Sequence, residues 1–104
     1  MIVTTTPGVE GRAVKEYLGV IAGEAILGTH FGRDIAASLS NFFGGRSAAY
    51  EEEVQSARSI ATEEMVGHGA RLGADAVVGV DIDYEVIRDG MMMVAVSGTA
   101  VKLG

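Results

Sequence analysis

Between Val78 and Val86 apolar and polar residues alternate: Val78, Val80, Ile82, Tyr84 and Val86 fall on one parity, Gly79, Asp81, Asp83 and Glu85 on the other. A period of two is the mark of a strand with one buried face. Arg88-Asp89-Gly90 follows, and then a second apolar stretch, Met92–Leu103. The pair reads as a β-hairpin, and its turn can be chosen on packing grounds. A two-residue Asp89-Gly90 loop would set Glu85 beside Val94 and Asp83 beside Val96. A three-residue loop with Gly90 in the left-handed bulge position shifts the register by one. Val86, Tyr84 and Ile82 then share a face with Met92, Val94 and Val96, while Glu85, Asp83 and Asp81 share theirs with Met93, Ala95 and Ser97. Only the second register separates apolar from acidic faces, and it is the one expected.

Upstream, Ile2–Thr5 is a short β-branched run that stops at Pro7-Gly8, a turn pair. Arg12–Leu27 reads as one long, bulged strand. Gly19 and Gly23 interrupt it, and its large apolar residues occupy both parities (Tyr17, Ile21 and Leu27 against Val14, Leu18, Val20 and Ile26). A strand apolar on both faces must be covered on both. Phe31–Phe43 has helical spacing through Phe31, Ile35, Leu39 and Phe42, ended by Gly44-Gly45. Ser47 is the expected N-cap of a second helix running to Leu72, with Glu51, Glu52 and Glu53 near its positive end and Gly73 as its stop. Its predicted inward stripe is Tyr50, Val54, Ala57, Ala61, Met65, His68 and Leu72, with Glu52, Glu63 and Arg71 outside. The fold class is α+β. Two helices can cover one side of such a sheet, so the other side is expected to meet a second copy of the chain.

Composition narrows the function classes. The chain has 104 residues, enough for one domain over 1–104, and a net charge of −6. Eight basic residues among fourteen acids do not form the cationic patch that nucleic acid requires. No apolar run reaches the roughly 20 residues of a membrane helix. Residues 1–28 lack the basic start and cleavage pattern of a signal peptide, and there is no Cys. Together these predict a cytoplasmic protein with neither nucleic-acid nor membrane partners.

Several motifs taken together resemble the YbjQ-like family. They are Gly23-Glu24-Ala25-Ile26-Leu27-Gly28, Gly44-Gly45-Arg46-Ser47 with Tyr50-Glu51, Leu72-Gly73-Ala74-Asp75-Ala76-Val77-Val78-Gly79, Asp81-Ile82-Asp83-Tyr84 and Ser97-Gly98-Thr99-Ala100-Val101. That family comprises small bacterial proteins of unknown function, sometimes labelled "putative heavy-metal-binding". The resemblance implies a β-α-β-β subunit similar to dodecin subunits, with an antiparallel sheet, helices on one face, and assembly as a homopentameric ring. It implies no enzyme activity and no catalytic residues. His30 and His68 stand where the family usually reads otherwise, so neither inherits the metal label.

The candidate sites were weighed against plain structural roles. Glu64 and His68, four positions apart on the predicted helix, can meet and offer two ligands to a divalent metal. Two ligands are not a site, and an ion pair or a half-buried His on the inner stripe is the simpler reading. Asp81, Asp83 and Glu85 form an acidic row that could hold a hard cation if rows converged in a ring; otherwise they are solvated or paired. Gly44-Gly45-Arg46-Ser47 could hold an anion at a helix start, but lacks the Walker spacing and is followed by acids. Met91-Met92-Met93 could bind Cu(I), but strand alternation separates Met92 from its neighbours and favours packing. No nucleophile motif is present. The expectation is a non-enzymatic, cofactor-free homo-oligomer, a scaffold or binding module. The alternative is a protein binding a divalent metal or small ligand at subunit interfaces.

Overall fold

The computed structural model describes residues 1–28, 48–88 and 90–104, with the backbone alone at 48–50. The predicted helix Phe31–Phe43, His30 and the Gly44-Gly45-Arg46-Ser47 motif lie outside the described residues. Four strands, β1 (Ile2–Val3), β2 (Val14–Leu27), β3 (Ala76–Arg88) and β4 (Met91–Leu103), form one sheet in the order β1-β3-β4-β2. The helix α1 (Ala48–Arg71) packs on one face. The sheet is mixed rather than purely antiparallel. β2, β3 and β4 are antiparallel neighbours, but β1 pairs with β3 in parallel through Ile2↔Ala76 and Val3↔Val77. The radius of gyration is 16.5 Å, against about 13 Å for a compact chain of this length.

The hairpin register is the predicted one. Tyr84 pairs with Val94, Asp83 with Ala95 and Val86 with Met92, and Gly90 sits at φ 75°. The three-residue turn wins because it alone sorts the faces. One part of the alternation reads differently. Val78 pairs with Thr99 and Asp81 with Ser97, so an extra residue bulges between them. Gly79, at φ 60°, supplies it. The bulge turns Val78 to the face away from α1, while Val80 and Ile82 stay on the helix side. Val78 therefore does not share a face with Ile82 and Tyr84.

β2 is the long bulged strand expected, with register shifts at Val14/Glu16 and Tyr17/Gly19. Its helix side buries Ile21 and Leu27. Gly23 lets α1 come down directly on it: a Cβ at Gly23 would overlap the Ala61 carbonyl oxygen and approach Met65 N to 2.7 Å. On α1 the buried row is Ala57, Ala61, Met65 and Gly69, and Val54 is half-buried. The row steps by four throughout, so Gly69 carries it on, next to Ile21 and Val77. His68 and Leu72, predicted to face inward, are exposed. Glu52, Glu63 and Arg71 are exposed as predicted. The helix closes at Gly73, at φ 78°, with Gly73 N donating to Ala70 O and Ala74 N to Gly69 O.

Two apolar clusters result. The larger, between α1 and the sheet, joins Ile21, Leu27, Ala57, Ala61, Met65, Val77, Val94, Val96 and Ala100. A smaller one on the far face holds Ala76, Val78, Val101 and Leu103 under Val9 and Val14. Far-face coverage stops there, and Tyr17 (72% exposed), Val20 (83%) and Ile26 lie open.

Candidate functional site

α1 is set off-centre. It packs chiefly on β2, next on β4 and barely on β3. Its two flanks therefore meet different surroundings. One flank faces β3 across a groove of about 610 Å³ lined by Arg58, Ser59, Thr62, Glu63, Val66, Gly67 and Ile82. Arg58 crosses that groove, its guanidinium donating to the Tyr84 hydroxyl at 3.0 Å. The other flank overhangs the outer edge of β2, where a smaller groove of about 390 Å³ runs along Val20, Ile21, Ala22, His68, Arg71 and Leu72.

Glu64 and His68 both stand on this second flank, as their spacing predicts, yet each has its own partner. A Glu64 carboxylate oxygen accepts the Glu24 N–H at 3.2 Å. His68 Nδ1 lies 2.7 Å from an Arg71 guanidinium nitrogen. A guanidinium can only donate, so Nδ1 accepts and the ring's remaining proton sits on Nε2. Neither a protonated Nε2 nor a neighbouring cation suits a divalent metal.

Asp81, Asp83 and Glu85 lie on the opposite side of the sheet, level with Ser97, Ala95 and Met93. The sheet thus separates them from Glu64 and His68. The pKa of Asp83 is raised from its ordinary value, first by hydrogen bonding to Asp81 that favours the protonated form of Asp83, then by the charge of Asp81, by desolvation and by Glu85. Among the described residues no three His, Asp or Glu side chains are grouped to hold a metal ion. Met92 packs against the main core, as its structural reading requires.

The arrangement the sequence did not reveal is at Asp75. Its carboxylate accepts the Leu103 N–H at 2.9 Å, and its own N–H donates to Val101 O. That backbone hydrogen bond holds its carboxyl below the usual range against the opposing effect of burial, helped by Lys102, 4.0 Å away. Asp75 ties the end of β4 to the turn after α1, which gives the Leu72–Gly79 motif a structural task. Its signal in the sequence was one Asp two residues past the helix stop at Gly73.

The layers and strand order define a small α+β fold, one helix on a four-stranded mixed sheet, with several large apolar side chains exposed. Residues 1–104 match the model of the YbjQ_1 family, described as "Putative heavy-metal-binding". The chain belongs to that family. It is 52% identical to a UPF0145 protein of Bacillus cereus ATCC 14579 over 99% of this chain and all of the relative. A UPF0145 protein of Geobacillus kaustophilus HTA426 is also 52% identical, over 99% and 98% of the two chains. Among solved structures it resembles a DUF74-family protein of unknown function from Pediococcus pentosaceus, with a TM-score of 0.66 and 16% identity, covering 100% and 98% of the chains. That likeness shows the fold. The family's description names heavy metal, but the candidate donors among the described residues are split between two faces of the sheet, and no three of them are grouped to hold one. No helix of the described residues is long and apolar enough to cross a membrane.

Proposed function

We propose that this chain is a non-enzymatic scaffold or binding module that works as a homo-oligomer in the cytoplasm, with five copies as the number its family resemblance implies. One observation carries the reading: large apolar side chains lie open on both faces of the sheet. Tyr17, Val20 and Ile26 lie open on the far face, and Ile60, Tyr84 and Val86 on the helix side. Each is worth about 1.5–3 kcal/mol when fully buried, and an apolar surface of this extent marks an interaction site. The non-enzymatic part is supported by Asp81, Asp83 and Glu85 lying on the opposite face from Glu64 and His68, which each have a hydrogen-bond partner of their own. The negative charge supports a partner other than nucleic acid, and the Cys-free composition suits a reducing compartment.

Native mass spectrometry of the purified protein, with and without EDTA, tests this. A pentamer whose mass EDTA leaves unchanged is the expected result. A folded monomer at micromolar concentration would overturn self-assembly. Loss of mass with EDTA would turn the reading to a metal-binding protein with its site between subunits.

A further inference from the structure

Among the described residues, both outer edges of the sheet are at least partly unpaired. The Glu24 N–H points away from β4, into the Glu64 carboxylate. The β2–β4 ladder is regular from Val20 to Leu27, so by alternation the amides of Val20, Ala22 and Ile26 point outward too. No described residue takes them. At the other edge, Thr4 and Thr6 close β3 only as far as Gly79 and Val80. From Ile82 to Val86 nothing described pairs with that edge.

We infer that the outer edge of β2 in one copy joins the outer edge of β3 in the next, extending the sheet from subunit to subunit. This rests on the self-assembly reading above and gives it a contact. Three observations favour a second copy as the occupant. First, β2 and β3 both run antiparallel to β4 and so share one direction. A rotation that repeats the subunit therefore sets the two edges side by side in parallel. Second, the edges differ, so the contact is heterologous and continues into a ring or a filament. Third, what one edge lacks the other supplies. Ile60 is one helical turn from Glu64, on the flank that overhangs β2, and is 53% exposed. Ile82, Tyr84 and Val86 stand on the helix side of β3 with little helix above them. With β3 of the next copy beside β2, the overhanging flank of α1 covers these three residues. A foreign strand would satisfy the β2 edge alone and leave β3 bare.

The absence of Cys makes the contact open to disulfide trapping. In parallel pairing, Ala22 beside Asp81 or Asp83 of the next copy sets Glu24 beside Asp83 or Glu85, a like-charged pair, whereas Ala22 beside Glu85 sets Glu24 beside Ile87; all three registers are sampled. Ala22→Cys is combined in turn with Asp81→Cys, Asp83→Cys and Glu85→Cys, all exposed far-face positions. Within one chain β4 separates the paired positions by about 10 Å, too far for a disulfide. Oxidation is followed on non-reducing gels, with native mass spectrometry of the same samples. At least one double variant is expected to give a ladder of covalent multimers that reductant collapses, with no ladder from the single variants. Dimers from Ala22→Cys alone would overturn the contact, because β2 would then meet another β2. An oligomer in which no double variant cross-links would overturn it while leaving self-assembly intact. A monomer would overturn both.

Discussion

Gly23→Ala adds one methyl group where it has no room. Its Cβ would overlap the carbonyl oxygen of Ala61 and stand 2.7 Å from Met65 N. Both obstacles are helix backbone, so no side-chain rotation relieves the contact, and α1 must lift from β2. Ala61 and Met65 are fully buried, in a cluster with Ile21, Val94 and Val96, and lifting the helix loosens all of these at once. Overpacking costs about 1–3 kcal/mol, and a backbone obstacle places this case near the upper end. At about 4–8 °C per kcal/mol for a domain of this size, a loss of ~3 kcal/mol lowers Tm by roughly 12–24 °C. Gly67→Ala is the matched control. It also lies in or under α1, but the nearest atom to its Cβ is Arg71 Nη1 at 3.8 Å. Relief of a helix-interior glycine should stabilise by about 0.5–1 kcal/mol. Circular-dichroism melts at equal protein concentration give the comparison, since self-association would make Tm depend on concentration. A Gly23→Ala melt within about 2 °C of wild type, or the same shift for both variants, would refute the close approach.

Two further changes test the core and the acidic row. Ala61→Glu should cost on the order of 3 kcal/mol or more by placing an unpaired charge in the dry centre of the helix–sheet contact, and an unchanged urea midpoint would show that α1 presents a different face. Asp83→Asn should stabilise the protein at neutral pH. The raised pKa of Asp83 means that the folded state binds its proton more tightly than the unfolded chain, so wild-type stability recovers as pH falls through the folded pKa toward 3.8. The variant's advantage should shrink over that interval and vanish below it, and a constant advantage across the pH series would contradict the raised pKa of Asp83.

The hairpin register was legible because only one turn length separates the acids Asp81, Asp83 and Glu85 from Val94 and Val96. β2 was legible for the opposite reason: its broken alternation is what bulges at Val14/Glu16 and Tyr17/Gly19 leave in a sequence. The bulge at Gly79 was hidden, because Val78 and Val80 look alike whichever face each takes, and the glycine between them was the only signal. On α1 the error had the same root. Apolar steps of three and four are both helical, and the row was carried from Met65 to His68 and Leu72 because they have side chains to bury. The structure steps by four to Gly69, where the absence of a side chain is what permits burial next to Ile21 and Val77. At the candidate site, the Glu64–His68 spacing placed both on one flank correctly. Their partners could not be read, since one is a backbone amide of β2, which tertiary packing alone brings near.

The placement of α1 links the core to the open surface. Gly23 and Gly69 let the helix settle onto β2 more closely than any side chain there would allow, so the tightest packing lies at one side of the sheet. A single helix centred on β4 would shade all three long strands partially. Set over β2, it buries Ile21, Leu27, Val94 and Val96 well and leaves Tyr84 and Val86 on β3 uncovered. The residues that make the subunit core dense are thus the ones that leave its far strand bare. An open β2 edge beside such a surface invites indiscriminate strand pairing. Glu64 answers that hazard: its carboxylate occupies the Glu24 amide, and any incoming strand must displace or accommodate a charge. Glu64, half of the candidate metal pair in the sequence, is in the structure the carboxylate that occupies an amide of this edge.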